Sequence, residues 1–185
     1  GALGSRGAWL LAPYDDRANH VGLPTMLVAD MESISHLAYQ NGFQVGIHAI
    51  GDRANREVLD IFDALFDGRD RGVRYRIEHA QHIDPADIPR FGQLGVIASM
   101  QGIHLSSDRP WAIDRLGPKR IKEGAYVWRS LLDTGAVISN GTDAPVEPVS
   151  ALASYYALVS RKTLSGSPEG GFEPEQKLTR FEALR

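Results

Sequence analysis

The chain has no cysteine among its 185 residues, so disulfide bonds and thiolate metal sites are excluded. It has no apolar run of about 20 residues, as a membrane-spanning helix requires, and no signal peptide before the first predicted element. It also lacks a basic cluster, since 20 Lys and Arg oppose 23 Asp and Glu for a net charge of -3. We therefore expect a cytoplasmic protein that binds neither nucleic acid nor a membrane.

The motifs of two common enzyme classes are absent as well. Neither G-x-G-x-x-G nor G-x-x-x-x-G-K occurs, so no dinucleotide or phosphate-binding loop is indicated. The chain also has no G-x-S-x-G elbow, which argues against a serine hydrolase.

What remains is an alternation of strand and helix patterns. Apolar runs predict buried strands at 43–50, 73–80, 95–100 and 136–143. Helical spacing and capping residues, among them Asp52 and Asp84, predict helices at 30–41, 53–66, 84–94, 125–132 and 150–164. We expect residues 101–124 to be a long polar connection. The pattern is typical of an α/β fold with a parallel sheet, either a doubly wound sheet or a (β/α) barrel.

Three of the predicted strands end on a group that can bind a metal or carry a proton. These groups are His48, His79 and Asp143. In a (β/α) barrel the carboxyl ends of the strands converge on one spot above the core, where imidazole and carboxylate can share a divalent ion. We predict that His48 and His79 are metal ligands and that Asp143 is a ligand or the general base for an activated water.

Several motifs resemble the amidohydrolase superfamily, in particular its subgroup of metal-dependent hydrolases that includes N-substituted formamide deformylases (amidohydrolase family 3). They are "HAIGDRAN", "RIEHAQHIDPADIPRFGQLGVIASMQ" and "GTDAPVEP", with "GALGSRGAW" and "GGFEPEQKLTRFEALR" near the two ends. The resemblance implies a TIM-type (β/α)8 barrel that hydrolyses amide, formamide or related C–N bonds with one or two divalent ions, zinc being the expected metal. It places His48, His79 and Asp143 at the ends of barrel strands 5, 6 and 8.

Two further motifs of that family are missing. No H-x-H is present, and no lysine ends a predicted strand. A whole barrel takes about 250 residues and eight strands. We therefore expect residues 1–185 to form one incomplete domain, strands 5–8 of the barrel, which starts after strand 4 and ends in the last barrel helix. Such a half-barrel would expose apolar inner faces at Val45 and Ile47, and would self-associate or depend on a missing N-terminal half.

Four more residues are candidate contacts for a small amide-type substrate. Gln101, His104 and Asp108 follow the third predicted strand, in a segment where substrate-contacting loops lie in a barrel. Arg6, in the glycine-rich opening, could pair with a substrate carboxylate. A solvated polar loop and a surface arginine are the simpler interpretations of the same residues.

Two polar neighbours of His79 are expected to lie outside the site. Successive strand residues face opposite sides of a sheet, so Glu78 should point away from the metal and pair outside the barrel with Arg74 or Arg76. His82 lies beyond the strand and should cap the next helix or face solvent.

Two functions from different classes follow. The first is a metal-dependent amidohydrolase of which this chain carries part of the site, inactive by itself. The alternative is a non-catalytic α/β module that binds small ligands or self-associates. Metal content separates the two, because only the first requires zinc, iron or manganese in the parent protein.

Overall fold

A computed structural model describes residues 1–184 and contains one four-stranded parallel sheet flanked by helices. The strands are β1 (Gly46–Ala49), β2 (Arg76–His79), β3 (Ile97–Met100) and β4 (Ile138–Asn140). The helices are α1 (Val28–Gln40), α2 (Asp52–Phe66), α3 (Ile88–Leu94), α4 (Gly102–Gly124), α5 (Trp128–Asp133) and α6 (Ala151–Ser160), followed by short 3₁₀ turns at Pro174–Gln176 and Glu182–Leu184. Within this part of the chain no helix is long and apolar enough to cross a membrane.

The order of the strands decides between the two architectures. Each strand pairs in parallel with the next along the chain, in the order β1-β2-β3-β4. In a doubly wound sheet the order of the strands reverses at a switch point, whereas in a (β/α) barrel each new strand is added on the same side of the one before it. The α/β class and the partial-barrel architecture are therefore confirmed, with strands about half as long as predicted.

The two faces of the sheet differ in chemistry. Ile77 on β2 lies in register with Ile47 on β1 and Ala98 on β3, and its side chain is fully buried against the helices. The opposite face carries His48 in register with Glu78. The expectation of an apolar inner face at Val45 and Ile47 is thus wrong, because these residues belong to the helix-covered side, where they pack partly buried against the core.

Helix α4 corrects the predicted polar connection at 101–124. Its apolar residues recur at helical spacing and are almost fully buried; they are Leu105, Ala112, Leu116 and Ile121. Pro110, Pro118 and Gly117 hid this periodicity, because proline and glycine usually mark the ends of helices. The helix is in fact interrupted once, at Gly117, whose φ of 74° is left-handed. The helix predicted at 125–132 begins only at Trp128.

Two predicted helix caps are also corrected. Asp84 accepts a hydrogen bond from the amide of Ala86 in a turn, and α3 begins at Ile88. Asp52 is the first residue of α2, where Gly51 is the N-cap. Glycine is required there, since a Cβ on Gly51 would come within 2.0 Å of the carbonyl oxygen of Trp9. This close approach holds the N-terminal loop against the start of α2.

His82 and Asp52 form a buried pair, which contradicts the prediction that His82 caps a helix or faces solvent. The exposed fraction is 2% for His82 and 4% for Asp52, and His82 Nε2 lies 3.4 Å from Asp52 Oδ2. The amides of Leu11 and Arg53 both donate to Asp52 Oδ1 at 2.9 Å. Asp52 thereby joins the N-terminal loop, α2 and the segment after β2.

Candidate functional site

His48 and His79 lie together at the carboxyl end of the sheet. Their ring centroids are 4.6 Å apart, and the rings meet edge to face. The strands that carry them are neighbours, with Ala49 of β1 in register with His79 at the end of β2. Two of the three residues predicted to share a metal are therefore adjacent.

Backbone geometry at the end of β2 explains how His79 reaches His48. In a regular strand, Glu78 and not His79 would share a face with His48, and the register pairs His48 with Glu78. His79 and Ala80 have φ values of 73° and 42°, so the strand alternation stops at this point. Glu78 pairs with Arg76 as predicted, but the pair lies on the open face of the sheet with His48 and not outside the barrel.

Gln101 determines which nitrogen of His79 is free. The Nε2 amide group of Gln101 donates to the carbonyl oxygen of Ser99 at 3.3 Å, which directs its Oε1 toward His79 Nδ1 at 2.7 Å. Because an amide oxygen can only accept, His79 Nδ1 is the donor of this hydrogen bond, which leaves Nε2 as the nitrogen available to a metal. A histidine that binds a metal usually has such a partner on its other nitrogen.

His48 is also in the form that a metal needs. Desolvation and the neighbouring His79 lower its pKa, so the neutral imidazole predominates near pH 7. Its Nε2 is 3.2 Å from both the amino nitrogen and the carbonyl oxygen of Gly1. The residue types and the tautomer of His79 therefore fit part of a metal centre, although Gly1 lies against the His48 nitrogen.

Asp143 follows β4 at the same end of the sheet. It is exposed and has a φ of 54°. Desolvation and His79 lower the pKa of both His48 and His104, and the negative charge of Asp143 opposes this shift only in part. Within residues 1–184, however, no group of three or more His, Asp or Glu side chains is arranged to hold an ion. The structure brings His48 and His79 together. The complete three-residue site, with Asp143 as its third member, stays a prediction.

His104 and Asp108 lie on α4, not on a loop. The ring of His104 stacks on that of His79 with centroids 6.1 Å apart, and its buried Nε2 has no hydrogen-bond partner among the described residues. Asp108, one helical turn further, accepts a hydrogen bond from Gln81 at 3.3 Å. Burial and the nearby Glu147 raise the pKa of Asp108 to about 6. Substrate contact by these residues stays a prediction.

Arg6 has partners within the chain. Its guanidinium forms a two-pronged ion pair with Asp16, at 3.0 and 2.8 Å, and Asp16 also pairs with Arg115. Its predicted role as a partner of a substrate carboxylate would require this pair to open.

Gln81 and Glu147 lie near the candidate site but were not among the predicted site residues. Gln81 follows His79 by two positions, and Glu147 follows Asp143 by four.

Comparisons with known proteins identify the family of this chain and several relatives. The amidohydrolase family model matches residues 1–185. Protein LONG AFTER FAR-RED 3 of Arabidopsis thaliana is 39% identical over 162 residues, covering 87% of this chain and 28% of the relative. YtcJ of Bacillus subtilis (strain 168) is 34% identical over 188 residues, 100% of this chain and 34% of the relative. The N-substituted formamide deformylase of Arthrobacter pascens is 26% identical over 173 residues, 93% of this chain and 31% of the enzyme.

Solved structures give the same result. An uncharacterized metal-dependent hydrolase from Pyrococcus horikoshii OT3 superposes with a TM-score of 0.87 at 32% identity, covering 100% of this chain and 36% of that one. Its counterpart from Pyrococcus furiosus has a TM-score of 0.84 at 31% identity, with the same coverage. The chain thus spans about a third of the length of the relatives it matches. Since the family model matches the whole sequence, the chain belongs to the amidohydrolase family.

Proposed function

We propose that the protein to which this chain belongs is a metal-dependent hydrolase of C–N bonds in small amides or formamides, located in the cytoplasm. The observation that supports this most directly is the pairing of His48 with His79, in which Gln101 leaves His79 Nε2 free. The name of the Arthrobacter relative supports formamides as the substrate class. A non-catalytic module would have no need for two adjacent imidazoles at one strand-end position.

The residues of this chain have separate roles in the proposal. His48 and His79 hold a divalent ion, with zinc the expected metal, and Gln101 orients His79. Such an ion supplies a Lewis acid that polarises the substrate carbonyl and acidifies water. Asp143 accepts the proton of the attacking water. His104 Nε2, buried and unpartnered in residues 1–184, donates or accepts a hydrogen bond to the substrate.

The proposal predicts metal in the full-length protein. We expect the purified full-length protein to contain a divalent ion and to hydrolyse N-substituted formamides. Chelation should abolish this hydrolysis, and zinc should restore it. Elemental analysis and an assay of amine release measure both. A metal-free protein that gains no activity with zinc, iron or manganese would support the non-catalytic module instead.

A substitution of Gln101 tests whether its hydrogen bond to His79 supports metal binding. Gln101→Leu leaves the Nδ1 proton of His79 unpaired, and loss of such a partner typically costs about 10–100-fold in metal affinity. Gln40→Leu, at the exposed end of α1, is the matched control and should bind metal normally. Equal metal affinities of the two variants would show that Gln101 does not support metal binding.

We propose further that the 185-residue chain alone self-associates along β1. Strand β1 is an edge of the sheet in residues 1–184, and a groove of about 350 Å³ beside it is lined by the apolar side chains of Met26, Met31, Ile34 and Ile47. A second copy would cover these groups, as an additional segment would in a longer protein. Light scattering should show a dimer or larger species that Ile34→Lys disrupts. A monomer at all concentrations would contradict this.

A further inference from the structure

Between its first and last hydrogen bonds to the β1 segment, the β2 segment contains one extra residue. At the start of the two strands the amide of Arg76 donates to the carbonyl oxygen of Val45 at 3.0 Å. Beyond their ends the amide of His82 donates to the carbonyl oxygen of Ile50, also at 3.0 Å. Six positions thus separate the two donors, whereas five separate the two acceptors. An extra residue of this kind bends a strand and redirects the side chains beside it, and the φ of 73° at His79 falls within this stretch.

The side chain of Asn55, in the first turn of α2, joins the carboxyl ends of these two strands. Its Nδ2 donates to the carbonyl oxygen of Ala49, the last residue of β1, and to that of His82, in each case at 3.2 Å. The carbonyl oxygen of Gly51 lies 2.9 Å from the same nitrogen. Because carbonyl oxygens can only accept, the NH₂ group of Asn55 and not its Oδ1 must face them. The residue is fully buried, so solvent cannot supply these hydrogen bonds in its place.

A second buried contact links the same two segments. Asp52, three residues before Asn55 on α2, has its Oδ2 3.4 Å from His82 Nε2. On its other side the segment after β2 is fixed to the end of α4, where the amide of Ile83 donates to the carbonyl oxygen of Gly124 at 2.9 Å. The chain after β2 is thus held at two adjacent residues, and Asn55 is the side chain that ties it directly to the backbone of β1.

These contacts are adjacent to the two candidate metal ligands. Ala49 directly follows His48, and His82 is three positions after His79. Strands β1 and β2 have only four residues each, so few hydrogen bonds of the sheet itself fix the relative position of their ends. A metal site requires its ligands to be held within about 0.5 Å of the productive geometry by supporting groups. Asn55 bonds to the backbone next to both histidines and so can supply this support.

We propose that Asn55 is a positioning residue that holds His48 and His79 at the spacing a shared divalent ion requires, an inference that rests on the metal-dependent function proposed above. Within residues 1–184 Asn55 makes no hydrogen bond to either imidazole, and it acts through the carbonyl groups of Ala49 and His82. Its amide group keeps the chain after His79 against the end of β1. The edge-to-face contact of the two rings, with centroids 4.6 Å apart, is therefore present before a metal binds.

The zinc affinity of the full-length protein tests this role. A serine hydroxyl in a helix can donate to the carbonyl oxygen four residues earlier, so Asn55→Ser keeps the hydrogen bond to Gly51. Its side chain is too short to reach Ala49 and His82 as well. We expect Asn55→Ser to lower zinc affinity about 10–100-fold, measured by competition with a chromogenic chelator. Asn55→Thr, which fills more of the space of the amide, gives the same comparison if the serine variant does not fold.

Phe62→Leu is the matched control for a loss of stability. Phe62 is fully buried on the same helix, but it packs against Tyr75, which precedes β2, with ring centroids 5.1 Å apart. It therefore lies toward the opposite end of the sheet. Both variants should lower the thermal midpoint of unfolding, whereas only Asn55→Ser should lower zinc affinity. A merely structural role of Asn55 would change zinc affinity equally in the two variants or in neither, and either result would overturn the proposal.

Proton NMR of the metal-free protein separates the failure of this inference from that of the proposed function. With labelled histidine, the wild-type protein should show a nuclear Overhauser effect between the rings of His48 and His79, which Asn55→Ser should weaken and Phe62→Leu should retain. Zinc binding by the wild-type protein, with an unchanged Overhauser effect and affinity in Asn55→Ser, would overturn the role of Asn55 alone. A wild-type protein that binds neither zinc, iron nor manganese would instead remove the proposed function and the role of Asn55 with it.

Discussion

Replacing Asp143 by asparagine should lower kcat of the full-length protein about 10²–10⁴-fold, the usual cost of losing a general base. The structure makes asparagine a clean substitute. Asp143 has a φ of 54°, a left-handed conformation that asparagine also adopts readily. The side chain is exposed, and no group within residues 1–184 donates a hydrogen bond to its carboxylate. The fold therefore loses no contact while the proton acceptor is lost.

The measurements that check this are kcat, kcat/KM and the thermal midpoint of unfolding. An interaction made only in the transition state lowers kcat and kcat/KM together, so a change confined to KM would point to substrate binding instead. Asp133→Asn is the matched control, because Asp133 ends α5 just before β4 and so lies at the opposite end of the sheet. Near-normal kcat in Asp143→Asn would exclude Asp143 as the base.

The order and type of most elements could be predicted because the apolar strands and amphipathic helices have distinct periods. The prediction of a polar connection at 101–124, where the structure has α4, was wrong for a specific reason. Pro110, Gly117 and Pro118 are helix-breaking signals, yet buried contacts at Leu105 and Leu116 stabilise the helix around them. Such tertiary packing overrides local preference, and its strength cannot be judged from the order of residues alone.

At the site, residue type and strand-end position were sufficient to place His48 beside His79. The role of Gln101 depends on the orientation of an amide between Ser99 and His79, which only coordinates show. The prediction that Glu78 lies outside the barrel was wrong for a related reason. The alternation rule assumes extended backbone, and His79 departs from it with a positive φ that no neighbouring glycine signals.

Arg161 is the clearest residue that sequence patterns hide. In the sequence it is a charged residue directly after α6, a position usually exposed to solvent, yet its side chain is fully buried. It donates hydrogen bonds to the carbonyl oxygens of Phe172 and Tyr126 at 2.6 and 2.8 Å, and its guanidinium lies 4.6 Å from the ring centre of Trp128. Burial lowers its pKa to about 10, so it remains cationic at neutral pH. A buried cation of this kind needs an anion close by.

Glu173 is that anion, and replacing it by glutamine should produce the largest loss of stability. It pairs with Arg161 at 3.4 Å and with Arg109 at 2.6 Å, and its side chain is only 11% exposed. Removing one partner of a buried ion pair typically costs about 3–5 kcal/mol, because the remaining charge is left uncompensated. Urea unfolding of the full-length protein measures the change. Glu169→Gln, an exposed neighbour in the same segment, should stay within about 0.5 kcal/mol of wild type.

A double-mutant cycle then shows whether the loss comes from the charge. Once Arg161→Met has removed the buried cation, Glu173→Gln should cost less than it does in the wild-type protein, with a coupling of about 0.5–3 kcal/mol. The coupling should not reach the full loss, because Arg109 also loses its partner when Glu173 is changed. Simple additivity of the two substitutions would mean that Glu173 contributes through its pair with Arg109 or through packing of the segment around Phe172. The ion pair between Arg161 and Glu173 would then have no part in holding this segment against α4 and α6.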